Sequence, residues 1–161
     1  MVNIREIQPA DRDAIQSILV RTGRFTRAEI DVAMELVDTA IEEPDQKDYE
    51  FYVAEPRAGT VCGYVCFGRT PATEGTYDLY WIAVDPDMQG RGVGRKLIEF
   101  VENRIRRYKG RLILIETSST EPYAQTRQFY TRHTYRVESQ ICDFYRPGDD
   151  RLTFVKRIEP M

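Results

Sequence analysis

The sequence predicts an α/β fold built in layers around a central, partly antiparallel sheet. Three observations lead there. The hydrophobic pattern alternates between the period of a strand and the period of a helix along the chain. The resulting order is β, α, α, β, β, β, α, β, α, β, β, which is mixed and not strictly alternating. The last two strand-like runs are joined by Arg146-Pro147-Gly148-Asp149-Asp150, a hairpin signal.

Each element has its own cause. Val2 to Ile7 alternates apolar and polar residues, as a half-buried strand does. Pro9-Ala10-Asp11 opens a helix carrying Ile15, Ile18 and Leu19 on one face, and Thr22-Gly23 ends it. Thr26 and Glu29 have capping-box spacing, and Ile30, Ala33, Met34, Val37 and Ile41 continue a helical stripe. Glu50 to Ala54 and Val61 to Phe67 read as strands flanking a turn at Arg57-Ala58-Gly59. Thr76 to Val84 is rich in aromatic and β-branched residues and is a third strand. After the turn Asp85-Pro86-Asp87-Met88, a helix is expected from Gly90 to Arg107, with Val93, Leu97, Ile98, Val101 and Ile105 facing inward. Leu112-Ile113-Leu114-Ile115 reads as a strand buried on both faces. Glu121 to Arg132 follows as a helix with Pro122 at its first position, and Tyr135 to Tyr145 and Leu152 to Ile158 form the terminal hairpin.

The 161 residues suit a single domain spanning 1–161. With 23 basic and 26 acidic residues, a net charge of −3 gives no whole-chain attraction for nucleic acid or an anionic membrane. No apolar run approaches the ~20 residues that span a bilayer, and Met1-Val2-Asn3-Ile4-Arg5-Glu6 lacks a signal-peptide core, so a cytoplasmic protein is expected. Three cysteines argue against a disulfide framework. Cys62 and Cys66, on a strand, would stand ~13 Å apart, too far for one metal ion. His133 is the sole histidine and reads as a surface residue, so no metal site is expected.

The segment Gln89-Gly90-Arg91-Gly92-Val93-Gly94 carries the chemistry. A strand runs into a glycine-rich turn that opens a helix. Amides of a first helical turn lack internal partners, and the helix dipole adds positive charge there, so phosphate is the natural guest. Arg91 and Arg95 add charge-assisted donors. The segment lacks the Gly-Lys-Ser/Thr ending of a P-loop, and its glycine spacing fails the dinucleotide fingerprint.

These residues resemble the GNAT superfamily of N-acetyltransferases, whose hallmark is Gln/Arg-x-x-Gly-x-Gly/Ala. Gln89, Gly92 and Gly94 match it in place, and Ile82-Ala83-Val84-Asp85-Pro86-Asp87-Met88 is similar to the family's lead-in. Downstream, Tyr123 to Tyr135 partly follows a second family pattern: Phe129 and Tyr130 match, whereas Tyr123, Thr126 and Thr134 replace Asn, Ala and Gly. The resemblance runs from the first strand to the last hairpin. It implies a sheet of about seven strands, helices on both faces and a splay between strands 4 and 5. It also implies acetyl-CoA as co-substrate. The pantetheine arm would pair near Ile82, Ala83 and Val84, and the diphosphate would meet Gln89, Gly90, Arg91, Gly92, Val93, Gly94 and Arg95.

The resemblance further implies acetyl transfer to a primary amine of a small molecule, amino acid or protein, by direct attack in a ternary complex. A phenol beside the sulfur can protonate the leaving thiolate, which singles out Tyr130; the bland alternative is a packing tyrosine. Glu116 at a strand end is the candidate base, with Asp78 behind it; an ion pair or a backbone-bonded carboxylate explains Glu116 equally. Ser118 is expected to bond the cofactor or cap the next helix. Phe25, Tyr77, Tyr80, Trp81 and Tyr145 either line an acceptor groove or pack the core. Glu35, Asp38, Glu42 and Glu43 either attract a cationic amine or form a solvated helix face. Homodimers are common among relatives. A second reading keeps the fold as a non-catalytic acyl-CoA sensor or interaction module.

Overall fold

A computed structural model describes residues 1–57 and 59–159. Ala58 of the expected turn therefore lies outside the described residues. Strands β1 (Val2–Glu6), β2 (Glu50–Pro56), β3 (Gly63–Arg69), β4 (Thr76–Val84), β5 (Leu112–Ser118), β6 (Arg136–Arg146) and β7 (Asp149–Arg157) alternate with helices α1 (Arg12–Thr22), α2 (Arg27–Glu42), α3 (Val93–Arg107) and α4 (Ala124–Arg132). The strands form one mixed sheet of order β1-β2-β3-β4-β5-β7-β6. The pairs β1·β2, β2·β3, β5·β7 and β6·β7 are antiparallel, whereas β4·β5 is parallel. That parallel ladder pairs only Thr76–Asp78 with Leu112–Leu114, the limited pairing expected of a splay. No helix among the described residues is long and apolar enough to cross a membrane.

The chain forms two compact units, Met1–Gly68 with Tyr80–Glu102, and Arg69–Leu79 with Asn103 onward. In the first unit, α1 and α2 cover one sheet face. Ile15, Ile18 and Leu19 of α1 and Ala33, Met34 and Val37 of α2 pack with Phe51, Val53, Tyr64 and Cys66. The capping box forms as its spacing requires: Glu29 donates its amide to Thr26 Oγ1 at 3.2 Å, and Thr26 donates its amide to Glu29 Oε2 at 2.6 Å. Strand alternation turns Tyr52 to the other face, where its ring meets Phe100 of α3 at 4.6 Å. Gly63 makes room on that face. A Cβ there would stand 3.0 Å from the Ala83 carbonyl oxygen and 3.2–3.3 Å from Leu97 and Val93 side chains.

The second unit corrects several expectations. β5 is not buried on both faces: Ile113 and Ile115 are buried, while Leu112 and Leu114 are half-buried, the alternation of a one-sided strand. Pro122 sits in a 3-10 turn, Glu121–Tyr123, and α4 itself begins at Ala124. The last hairpin is tighter than expected. Arg146 pairs with Asp149 across Pro147-Gly148, and Gly148 supplies φ 82°, which a side chain would resist. β6 is an edge strand, exposed along its length, with register irregularities between Val137 and Ser139 and between Ile141 and Arg146.

Candidate active site

In the first unit the candidate residues act mostly through backbone. β4 delivers the chain to Asp85, whose amide donates to Cys62 O at 2.8 Å. The Asp85 carboxylate accepts from the Asp87 amide at 2.9 Å, capping the 3-10 turn Pro86–Met88. It also takes a two-pronged bond from Arg21 of α1, at 2.9 and 2.5 Å. The Arg21 guanidinium holds the Asp85 carboxyl below the usual carboxylate range. Sequence reading missed this brace: Asp85-Pro86-Asp87-Met88 signalled a turn, but nothing linear ties Arg21 to it. Gln89 reaches back to Val84 O at 3.4 Å.

The glycines then set the geometry. Helix α3 starts at Val93, three residues later than expected, because Gly90 and Gly92 adopt φ 76° and 81°, outside the helical region. An added Cβ at either would meet nothing within 4 Å. Their requirement is thus conformational, since an L-residue pays roughly 1–2 kcal/mol there. Among the described residues, none of the backbone amides from Gly90 to Arg95 has an acceptor; the first to find one is Lys96, whose amide donates to Gly92 O at 3.1 Å. Gln89, Gly90, Arg91 and Gly92 are exposed, Gly94 is half-buried, and Val93 is buried against the core. A row of unspent donors on an exposed turn, backed by a helix dipole, fits a diphosphate. Arg95 is committed in part, with its Nε donating to Glu99 at 2.7 Å. Ile82 and Val84 are half-buried and Ala83 is buried.

In the second unit the candidate groups are side chains. Register pairing places Glu116 opposite Thr153, and Ile115 opposite Phe154. Directly paired residues share a sheet face, so Glu116 lies on one face and Phe154 on the other. Tyr130 of α4 is buried, its ring 5.5 Å from Phe154 and 5.7 and 6.1 Å from Phe129 and Tyr135. Glu116 and Tyr130 are thus separated by the thickness of the sheet. Arg127 ties α4 to the end of β5, donating to the Ser118 and Thr120 carbonyls at 2.9 and 2.7 Å.

Glu116 is half exposed, and Arg151 Nη1 stands 3.6 Å from its Oε1. Ser118 is buried, and its hydroxyl is spent within the protein: it donates to Asp149 at 2.5 Å and meets Thr120 Oγ1 at 2.7 Å. Asp78, the second candidate base, accepts from the Thr70 hydroxyl at 2.6 Å within the laddered part of β4. Tyr77 is buried and stacked on Tyr108, and Phe25 packs edge-on against Trp81 at 5.3 Å. Tyr80 and Tyr145 are exposed. Asp38 pairs with Arg12 at 2.6 Å, so it is no longer a free charge for an amine. His133 is half-buried, with Nδ1 at 2.8 Å from the Phe129 carbonyl, because α4 ends there and leaves carbonyls to satisfy. Cys62, Cys66 and Cys142 are free, and burial pushes the Cys62 and Cys66 thiols up.

Comparison with known proteins agrees with this geometry. The Acetyltransferase (GNAT) domain family matches residues 47–137. A solved GNAT-family chain from Desulfovibrio desulfuricans is 41% identical over 99% of this chain and 100% of its own, with a TM-score of 0.91. The N-alpha-acetyltransferase RimI of Mycobacterium tuberculosis is 43% identical over 53 residues, 31% of this chain and 32% of its own. The S-(2-succino)cysteine N-acetyltransferase of Bacillus subtilis is 28% identical over 69 residues, 43% of this chain and 42% of its own. The matched segments thus span about a third to two-fifths of these two curated relatives. The chain belongs to the GNAT family of acetyltransferases.

Proposed function

We propose that this protein is an acetyl-CoA-dependent N-acetyltransferase that acetylates a primary amine by direct attack in a ternary complex. The observation that carries this reading is the row of unspent amides from Gly90 to Arg95, held open by two left-handed glycines. Those amides and Arg91 would bind the diphosphate, with Gln89, Val93 and Arg95 framing the turn. The backbone of Ile82, Ala83 and Val84 would pair with the pantetheine arm. Acetyl-CoA supplies an acyl carbon already activated by its thioester.

The chain's own residues then divide the proton work by sheet face. Glu116 takes a proton from the amine nitrogen as it bonds to the acyl carbon. Tyr130, on the opposite face, gives its phenolic proton to the departing sulfur. Ser118 holds the β5 end in place through Asp149 and is assigned to support. The acceptor reading is narrowed by the relatives' names, which both specify nitrogen acetylation. We place the protein in the cytoplasm, consistent with its free thiols.

The test is thiol release from acetyl-CoA with a panel of amines, run beside a thermal shift with acetyl-CoA alone. A catalyst gives amine-dependent release and a raised melting temperature. A shift with no release for any amine returns the fold to a sensor role, and neither signal overturns the cofactor reading as well.

A further inference from the structure

Arg151 of β7 is an unusual cation. Its side chain is 23% exposed, yet among the described residues its guanidinium donates no hydrogen bond. Nε is buried without a partner, and the Nη1 contact to Glu116 at 3.6 Å is too long to be a hydrogen bond. The plane is held in place from below, with Cζ 4.5 Å from the centre of the Phe144 ring. A guanidinium fixed by stacking and left with unused donors is prepared for a planar, two-oxygen anion. Nearby cations differ. Arg146 is spent on Asp149 at 2.7 Å, and Arg127 on two carbonyls.

Arg151 and Glu116 share a sheet face. Arg151 pairs with Ser118, two residues along β5 from Glu116, and strand alternation returns both to the same side. An exposed carboxylate therefore adjoins, through a long ion pair, a guanidinium that donates no hydrogen bond among the described residues, beside the exposed rings of Phe144 and Tyr145, which meet edge-on at 5.0 Å. We propose that Arg151 anchors the carboxylate of the acceptor, so that the acceptor is a free α-amino acid whose amine meets Glu116 while its side chain lies along Phe144 and Tyr145. An α-amino acid carries its ammonium and carboxylate one carbon apart, matching a Glu–Arg pair on adjacent strands. A protein N-terminus lacks that carboxylate and leaves Arg151 with only its 3.6 Å ion pair to Glu116. This proposal rests on the reading of Glu116 as the base that faces the amine.

The test compares free L-amino acids with their primary amides, which keep the amine and lose the carboxylate charge. Wild-type kcat/KM is expected to favour the free acids by about tenfold or more, mainly through KM. Arg151→Gln removes that preference, lowering the free-acid rate about tenfold more than the amide rate, and Arg151→Lys restores part of it. N-acetylated amino acids raise the melting temperature of wild type more than that of Arg151→Gln. Equal wild-type rates for acids and amides overturn the carboxylate anchor while leaving acetyl transfer intact. Equal losses on both substrates in Arg151→Gln also overturn it, since Arg151 then merely supports the sheet. Absence of any amine-dependent turnover overturns the base reading and the anchor together.

Discussion

The two candidate regions, one in each compact unit, are built from different materials. Around Gly90–Arg95 the proposed ligand groups are main-chain amides, and the side chains serve mainly to free them. Around Glu116, Arg151 and Tyr130 the proposed functional groups are side chains, and the main chain serves to sort them onto faces. A backbone site depends on conformation and tolerates changes in side chains that keep it. A side-chain site depends on identity and on register. Substitutions should therefore damage the two regions in different ways.

The largest expected effect is in the turn. Gly92→Asp combined with Gly94→Asp places carboxylates against the anion, and at Gly92 it also forces a side chain to φ 81°. Acetyl-CoA affinity should fall at least about a hundredfold by calorimetry. Unaltered binding would show that the amides are not the grip. In the other region, Tyr130→Phe should lower kcat about a hundredfold while the acetyl-CoA Kd stays within about twofold. A parallel rise in Kd would make Tyr130 a packing residue. Arg21→Met removes the brace on Asp85 without touching a proposed ligand contact. Its expected cost is a roughly two- to fivefold weaker acetyl-CoA Kd with kcat little changed, and no change would mean that the turn holds its own shape.

Two further substitutions away from both regions calibrate these. Tyr64 is fully buried among apolar side chains, and among the described residues its hydroxyl has no hydrogen-bond partner. Tyr64→Phe relieves that, so stability should hold or rise by about 1 kcal/mol in a denaturant melt. Asp11 is buried, which by itself would raise its pKa, but the Arg5 guanidinium and the Gln8 amide outweigh burial and hold it low. A lowered folded-state pKa means stability that is present above about pH 4 and lost as the pH falls through the folded value. Asp11→Asn should flatten the acid limb of the stability profile; an unchanged limb would assign acid unfolding elsewhere.

The backbone half was far more legible in the sequence. Gly90 and Gly92 stand out as candidates because tolerance of positive φ is a property of residue type. Even there the helix start was misplaced by three residues, since periodicity does not reveal that Gly90 and Gly92 are left-handed. Glu116 and Tyr130 were visible as candidates, but their opposite faces were not, because facing depends on the β5·β7 register and on how α4 packs on Phe154. Arg151 gave no signal: its meaning comes from Phe144 below it and Glu116 beside it, which are 7 and 35 residues away. The fate of Ser118 was hidden for the same reason, as Asp149 lies across the hairpin.

One feature of β6 bears on how the protein survives at high concentration. An eleven-residue edge carrying exposed Val137, Ile141, Phe144 and Tyr145 is the sort of rim on which neighbouring molecules stack into fibres. Its two register breaks, the left-handed Asp143 at φ 57° and the charges of Arg136, Glu138 and Arg146 interrupt any straight template. The irregularity keeps a sticky border from being copied, and the aromatic residues it carries can stay uncovered without gluing molecules together.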